Sequence, residues 1–166
     1  MFKKILLTAV MVLVVGVLWW TTVRNTEPKA QSGLKVTTSF YPLYEFAKQV
    51  GGNKVQVTNI TPAGSEPHDF EPSAKIIAEA SKSNVFIYNG GMFEPWTGRF
   101  VGHYSGIAVK GSDGMDLLQT TDVEHDSDLR NEQAEGYDPH YWLDPVLAQQ
   151  TVINIRDGLI KADRTN

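Results

Sequence analysis

The chain has 166 residues, 42% of them hydrophobic and 20% charged, with 15 basic and 19 acidic side chains and no cysteine. That length holds one domain of ordinary size, and the lack of cysteine excludes a disulfide scaffold, a thiolate metal site, a cysteine nucleophile and lipid attachment through an N-terminal cysteine. Lys3 and Lys4 are the only charges before Arg24, so the rest of the chain carries a formal charge of −6 (13 basic against 19 acidic), with no basic cluster to serve a nucleic-acid partner.

Chain order begins with an apolar run from Ile5 to Trp20, interrupted only by Thr8. Two readings fit residues 1–23. As a signal peptide the run has the right basic start, but it lacks a convincing small-x-small cleavage site before Leu18-Trp19-Trp20-Thr21-Thr22. As a signal anchor, Ile5 to Val23 would make roughly 28 Å of helix at about 1.5 Å per residue, close to a hydrocarbon core of about 30 Å. Trp19 and Trp20 suit a membrane interface, and the leading lysines direct the soluble part outward, so the anchor is the preferred reading. Residues 24–33 read as a polar linker, too poor in apolar surface to fold alone.

Residues 34–166 alternate short apolar runs with helix-like stretches. Strands are expected at Leu34–Ser39, Val55–Thr61, Val85–Tyr88 and Ile107–Val109. Helices are expected at Pro42–Val50, with Leu43, Phe46, Ala47 and Val50 on one stripe, from Pro72-Ser73 through Ala80, at Glu94–Val101, and at Pro145–Ala162 with Val146, Ile153 and Leu159 facing inward. Asp122 to Gly136 reads as a charged loop. The alternation predicts an α/β lobe, a small parallel sheet flanked by helices, with ligands bound beyond the carboxyl ends of its strands. Asn89-Gly90-Gly91 reads as a turn, too short for a phosphate loop.

Two segments carry the chemistry: Glu66-Pro67-His68-Asp69-Phe70-Glu71-Pro72 and Asp138-Pro139-His140-Tyr141-Trp142-Leu143-Asp144-Pro145. Each sets one imidazole in a proline-stiffened loop with carboxylates nearby, as a metal site needs, because a ligating histidine commonly gives its second ring N–H to an acceptor. The bland alternative is a pair of proline-rich turns that hold surface imidazoles. Asp69, Glu71, Asp138 and Asp144 read as acceptors behind the site, helix caps or surface charges, with Asp144 the natural cap. Phe70, Trp96 and Trp142 read as the buried stems of their loops. His103 has no nameable partner, and His125 lies among acids that read as a solvated charge run.

With Ser39-Phe40-Tyr41-Pro42-Leu43, Thr61-Pro62, Asn89-Gly90 and Glu94-Pro95-Trp96 added to those two segments, the chain from Leu34 onward resembles the N-terminal half of the metal-binding solute-binding proteins of zinc and manganese ABC importers. The resemblance implies that His68 and His140 bind the metal in a cleft between two lobes. It also implies that a second lobe supplies the remaining ligands, that the divalent ion is Zn2+ (alternative Mn2+), and that the loaded protein meets an ABC permease. Two imidazoles leave at least one position of a zinc site open, so weak binding by this chain and an apolar face turned to a second lobe are expected. An enzyme is not, since no His-Glu-x-x-His or Gly-x-Ser-x-Gly signature occurs. A surface adhesin is the rival reading.

Overall fold

The computed structural model describes residues 11–17, 19–20, 33–90, 93–119 and 136–165. The chain divides into two units, Met1–Gln31 and Ser32–Asn166. In the first, residues 11–17 and 19–20 are helical with exposed side chains, Trp19 and Trp20 among them. The anchor expected over Ile5–Val23 falls in good part outside the described residues, and among the described residues no helix is long and apolar enough to cross a membrane.

The second unit is the expected α/β lobe. Four strands, β1 (Leu34–Thr38), β2 (Val55–Asn59), β3 (Val85–Tyr88) and β4 (Ile107–Lys110), form one sheet in the order β2-β1-β3-β4. Every pairing is parallel, with Leu34 opposite Val55, Val36 opposite Val85, and Val85 opposite Ile107. Four helices alternate with or follow them: α1 (Tyr41–Gly51), α2 (Ala74–Ala80), α3 (Thr97–His103) and α4 (Pro145–Ala162).

Side chains alternate across the strands, so each sheet face has its own core. Val36, Val85, Ile87 and Val109 pack against Leu43 and Ala47 of α1 and Ile155 and Leu159 of α4. Phe86 and Ile60 pack on the other face with Ala80 of α2 and Trp96 and Phe100. β3 contributes to both and is buried nearly throughout, as a central parallel strand should be.

Element boundaries differ from expectation by up to three residues, most at β2 and α3, and the inward stripe of α4 differs as well. β2 ends at Asn59, although Ile60 and Thr61 still donate backbone bonds to Thr38 and Ser39. α3 starts at Thr97 and runs to His103, because the Glu94 carbonyl accepts from both the backbone N–H and the hydroxyl of Thr97 and so closes a turn ahead of the helix. On α4 the inward stripe is Thr151, Ile155, Gly158 and Leu159, spaced four, three and one; of the three residues expected inward only Leu159 is, while Val146 and Ile153 are exposed. Hydropathy pointed to the wrong positions because a threonine and a glycine occupy half of the buried stripe. Gly158 is there for closeness: a Cβ on it would lie 2.3 Å from Cγ2 of Val109.

Candidate metal centre

The strand order places the topological switch between β1 and β3, since the chain leaves β1 toward β2 on one side and returns past it to β3 on the other. A crevice beyond the carboxyl ends of the strands at such a point is where open α/β sheets bind ligands. The loops after β2 and β4 carry His68 and His140, and their Nε2 atoms lie 3.4 Å apart. Two nitrogens bound to one zinc at about 2.0–2.1 Å with a tetrahedral angle are separated by about 3.3–3.4 Å. The spacing of the two imidazoles therefore matches the edge of a zinc tetrahedron in length.

Each ring is held differently. Nδ1 of His140 lies 2.8 Å from Asp138 Oδ1, which also accepts the His140 backbone N–H at 2.9 Å. Those bonds from His140, the backbone one first, hold the Asp138 carboxyl below the usual carboxylate range. An ionised Asp138 can only accept, so Nδ1 of His140 carries the proton and Nε2 presents its lone pair. The loop is pinned further back: Asn89 Nδ2 donates to the Pro139 carbonyl at 2.9 Å, and the Tyr141 hydroxyl donates to the Asn89 carbonyl at 3.3 Å. Asp144 accepts from the backbone N–H groups of Val146 and Leu147, capping α4 as expected.

His68 lies in a turn closed by the Phe70 N–H donating to the Pro67 carbonyl. Its ring meets the Phe93 ring edge-on at 4.4 Å between centroids, and Phe93 packs in turn against Phe40, Trp142 and, at 6.0 Å, His140. Both imidazoles are exposed, yet they stand on a floor of aromatic rings in which Phe40 and Phe93 are buried. Such a floor removes competing water from one side of the pair and leaves the other side open to an ion.

The other sequence expectations sort accordingly. Glu71 pairs with Arg99 at 3.3 Å on the surface, Asp69 is exposed, and His103 is an exposed residue at the end of α3. Trp96 is buried, while Phe70 and Trp142 are partly buried against the two cores. His125 and nearly all of the 122–136 loop lie outside the described residues. Sequence reasoning missed Glu94, which is 1% exposed and accepts from the Ser39 hydroxyl, the Asn89 N–H at 3.1 Å and the Gly90 N–H at 3.1 Å. Burial pushes its carboxyl up to about 7 against the pull of those three donors. The only signal was its place within Asn89-Gly90…Glu94-Pro95-Trp96, where an acid at the start of an expected helix reads as ordinary.

Residues 36–166 match the family described as zinc-uptake complex component A, periplasmic. The chain belongs to the ZnuA family of solute-binding proteins. Among its relatives, the high-affinity zinc uptake system protein ZnuA of Bacillus subtilis is 34% identical over 174 residues, covering 100% of this chain and 54% of that protein. The zinc-binding protein AdcA of Streptococcus pyogenes is 35% identical over 176 residues, covering 98% of this chain and 34% of that one. Two solved structures superpose with a TM-score of 0.67 over 80% of this chain. They are the metal-dependent lipoprotein YcdH of Bacillus subtilis, at 37% identity and 46% of its length, and Zn(II)-bound AdcA of Streptococcus pneumoniae, at 33% identity and 27% of its length. This ZnuA-family chain thus spans about half the length of its relatives, or less.

Proposed function

We propose that this chain contributes the His68 and His140 ligands of a zinc-capture site in an extracytoplasmic binding protein that delivers the ion to an ABC permease. The observation that carries the reading is the 3.4 Å separation of the two Nε2 atoms, with Asp138 behind one of them. Among the described residues no group of three or more histidine, aspartate or glutamate side chains forms a metal cluster. The pair therefore supplies two positions, and a further lobe, a second protein or water completes the shell. Tyr41, Leu143 and Val146 are exposed hydrophobic residues in the chain segments that begin at Phe40 and His140, which supports a partner surface on this side. Capture needs no covalent step: the lobe desolvates the ion, holds it and presents it, and the permease's ATPase supplies the work.

The zinc-binding names of the relatives favour zinc over manganese, and so does a nitrogen donor pair. Calorimetric titration of the full chain in detergent micelles with each ion, beside His68→Ala and His140→Ala, tests the site. Zinc binding lost in both variants is the expected result; binding that survives both, or a parent that prefers manganese, refutes the reading. For attachment, one relative is named a lipoprotein, but this chain has no cysteine to acylate, so we assign the role to the apolar segment 5–23. The full chain should resist extraction of membranes with alkaline carbonate; release into the supernatant would rule out an anchor.

A further inference from the structure

Glu94 is the most deeply buried acid among the described residues, and its contacts run toward the histidines' supports. One oxygen accepts from the Ser39 hydroxyl at the end of β1 and from the Asn89 N–H at the end of β3; the other accepts from the Gly90 N–H. The residue thus joins the two strand ends that flank the switch point. From the turn it holds, Asn89 Nδ2 reaches the Pro139 carbonyl one residue before His140, and Phe93 presents its ring to His68 and His140.

We propose that Glu94 is a positioning residue for metal capture: by binding Ser39, Asn89 and Gly90 at once it fixes the turn through which Asn89 and Phe93 hold His68 and His140 at ligand spacing. The Asn89 and Gly90 N–H groups fall on different oxygens, so both atoms must accept, while the Ser39 hydroxyl can donate or accept. A glutamine in the same place would turn an NH2 toward at least one backbone N–H, whichever way its amide is flipped. Gly90 sits at φ 90°, a conformation that glycine adopts readily and that aims its N–H at Glu94. Loss of the carboxylate is therefore transmitted to both imidazoles while the cores above and below the sheet stay as they are.

The proposal rests on the zinc-capture reading, and its test separates the two. Ring-to-ring NOEs between His68 and His140 are measured on the metal-free full chain in detergent micelles, and zinc affinity is measured on the same samples by competition with a chromophoric chelator. Glu94→Gln is expected to lose the NOE and to weaken zinc binding by about tenfold or more. Leu159→Ala, a core change at the far end of α4, is expected to lower thermal stability while keeping both. Asn89→Ala, which leaves two of Glu94's donors and the Asn89 N–H in place but cuts the link to Pro139, carries the same test should Glu94→Gln fail to fold. A folded Glu94→Gln (or Asn89→Ala in its stead) with the NOE and the affinity of the parent overturns the proposal. A parent chain that binds no zinc, yet loses the NOE on Glu94→Gln, refutes the capture reading and leaves the positioning role standing.

Discussion

The loop of His140 is pinned by Asp138 at the ring, by Asn89 at the preceding carbonyl and by Tyr141 just after, whereas the loop of His68 closes on its own backbone and leans on the Phe93 ring. The first arrangement fixes proton position and ring direction together; the second fixes direction alone. Hydrogen bonds are directional and select a tautomer, while edge-on aromatic contact tolerates rotation of the partner. In the proposed capture site His140 is thus the preset ring and His68 the adaptable one.

Acid offers the largest handle on the pinned side. Glu94 has a folded value of about 7 against an ordinary 4.5, so the folded state binds more protons than the unfolded state between those two pH values. Its contribution therefore favours folding as pH falls from about 7 to about 4.5, by about 3 kcal/mol over the span, and is a standing cost above pH 7. Thermal unfolding of the metal-free parent and of Glu94→Gln, followed across that range, should show the parent gaining on the variant toward acid. Parallel curves would remove Glu94 from the account of how the His140 side is held.

The contrast between the loops is tested next by matched changes behind each ring. Asp138→Asn puts an amide where Nδ1 of His140 needs an acceptor of fixed sense, and should weaken zinc binding about tenfold in competition titrations. Asp144→Ala removes the α4 cap at the end of the same loop, and should lower stability by about 1 kcal/mol in denaturant titrations with a smaller effect on zinc. Glu66→Gln alters only a long contact, 3.4 Å from the exposed carboxylate to the His68 N–H, and should leave zinc affinity within about twofold. A Glu66→Gln effect as large as that of Asp138→Asn would mean that both rings are held alike, and the distinction between preset and adaptable ligand would fall.

Much of this was legible in the sequence because its signals were local. Short apolar runs bounded by asparagine and glycine marked β3 and β4, Ser73 marked the start of α2, where it accepts from the Ile76 N–H, and Asp144-Pro145 marked the start of α4. The Pro-His pairs singled out both imidazoles, with a pair of proline-rich turns as the bland reading, and the family resemblance gave them their expected role. What stayed hidden depended on distant partners. Glu94 reads as a surface acid until Ser39, fifty-five residues earlier, is seen to meet it. The inward stripe of α4 was missed because Thr151 and Gly158 contribute fit where hydropathy looks for bulk. Asn89 reads as a turn residue, and only the fold brings Pro139 to its amide.

Gly158 gives α4 a mechanical character. The helix rides directly on Val109 near its far end, and its first turn follows the His140 loop. From Asp144 to Gly158 the axis runs about 20 Å at about 1.5 Å per residue, so the glycine is the fulcrum of a stiff beam whose other end meets the His140 loop. A single methyl group added at the fulcrum would lift the beam and tilt its tip. The placing of the His140 loop thus depends in part on how closely the backbone of α4 can approach β4.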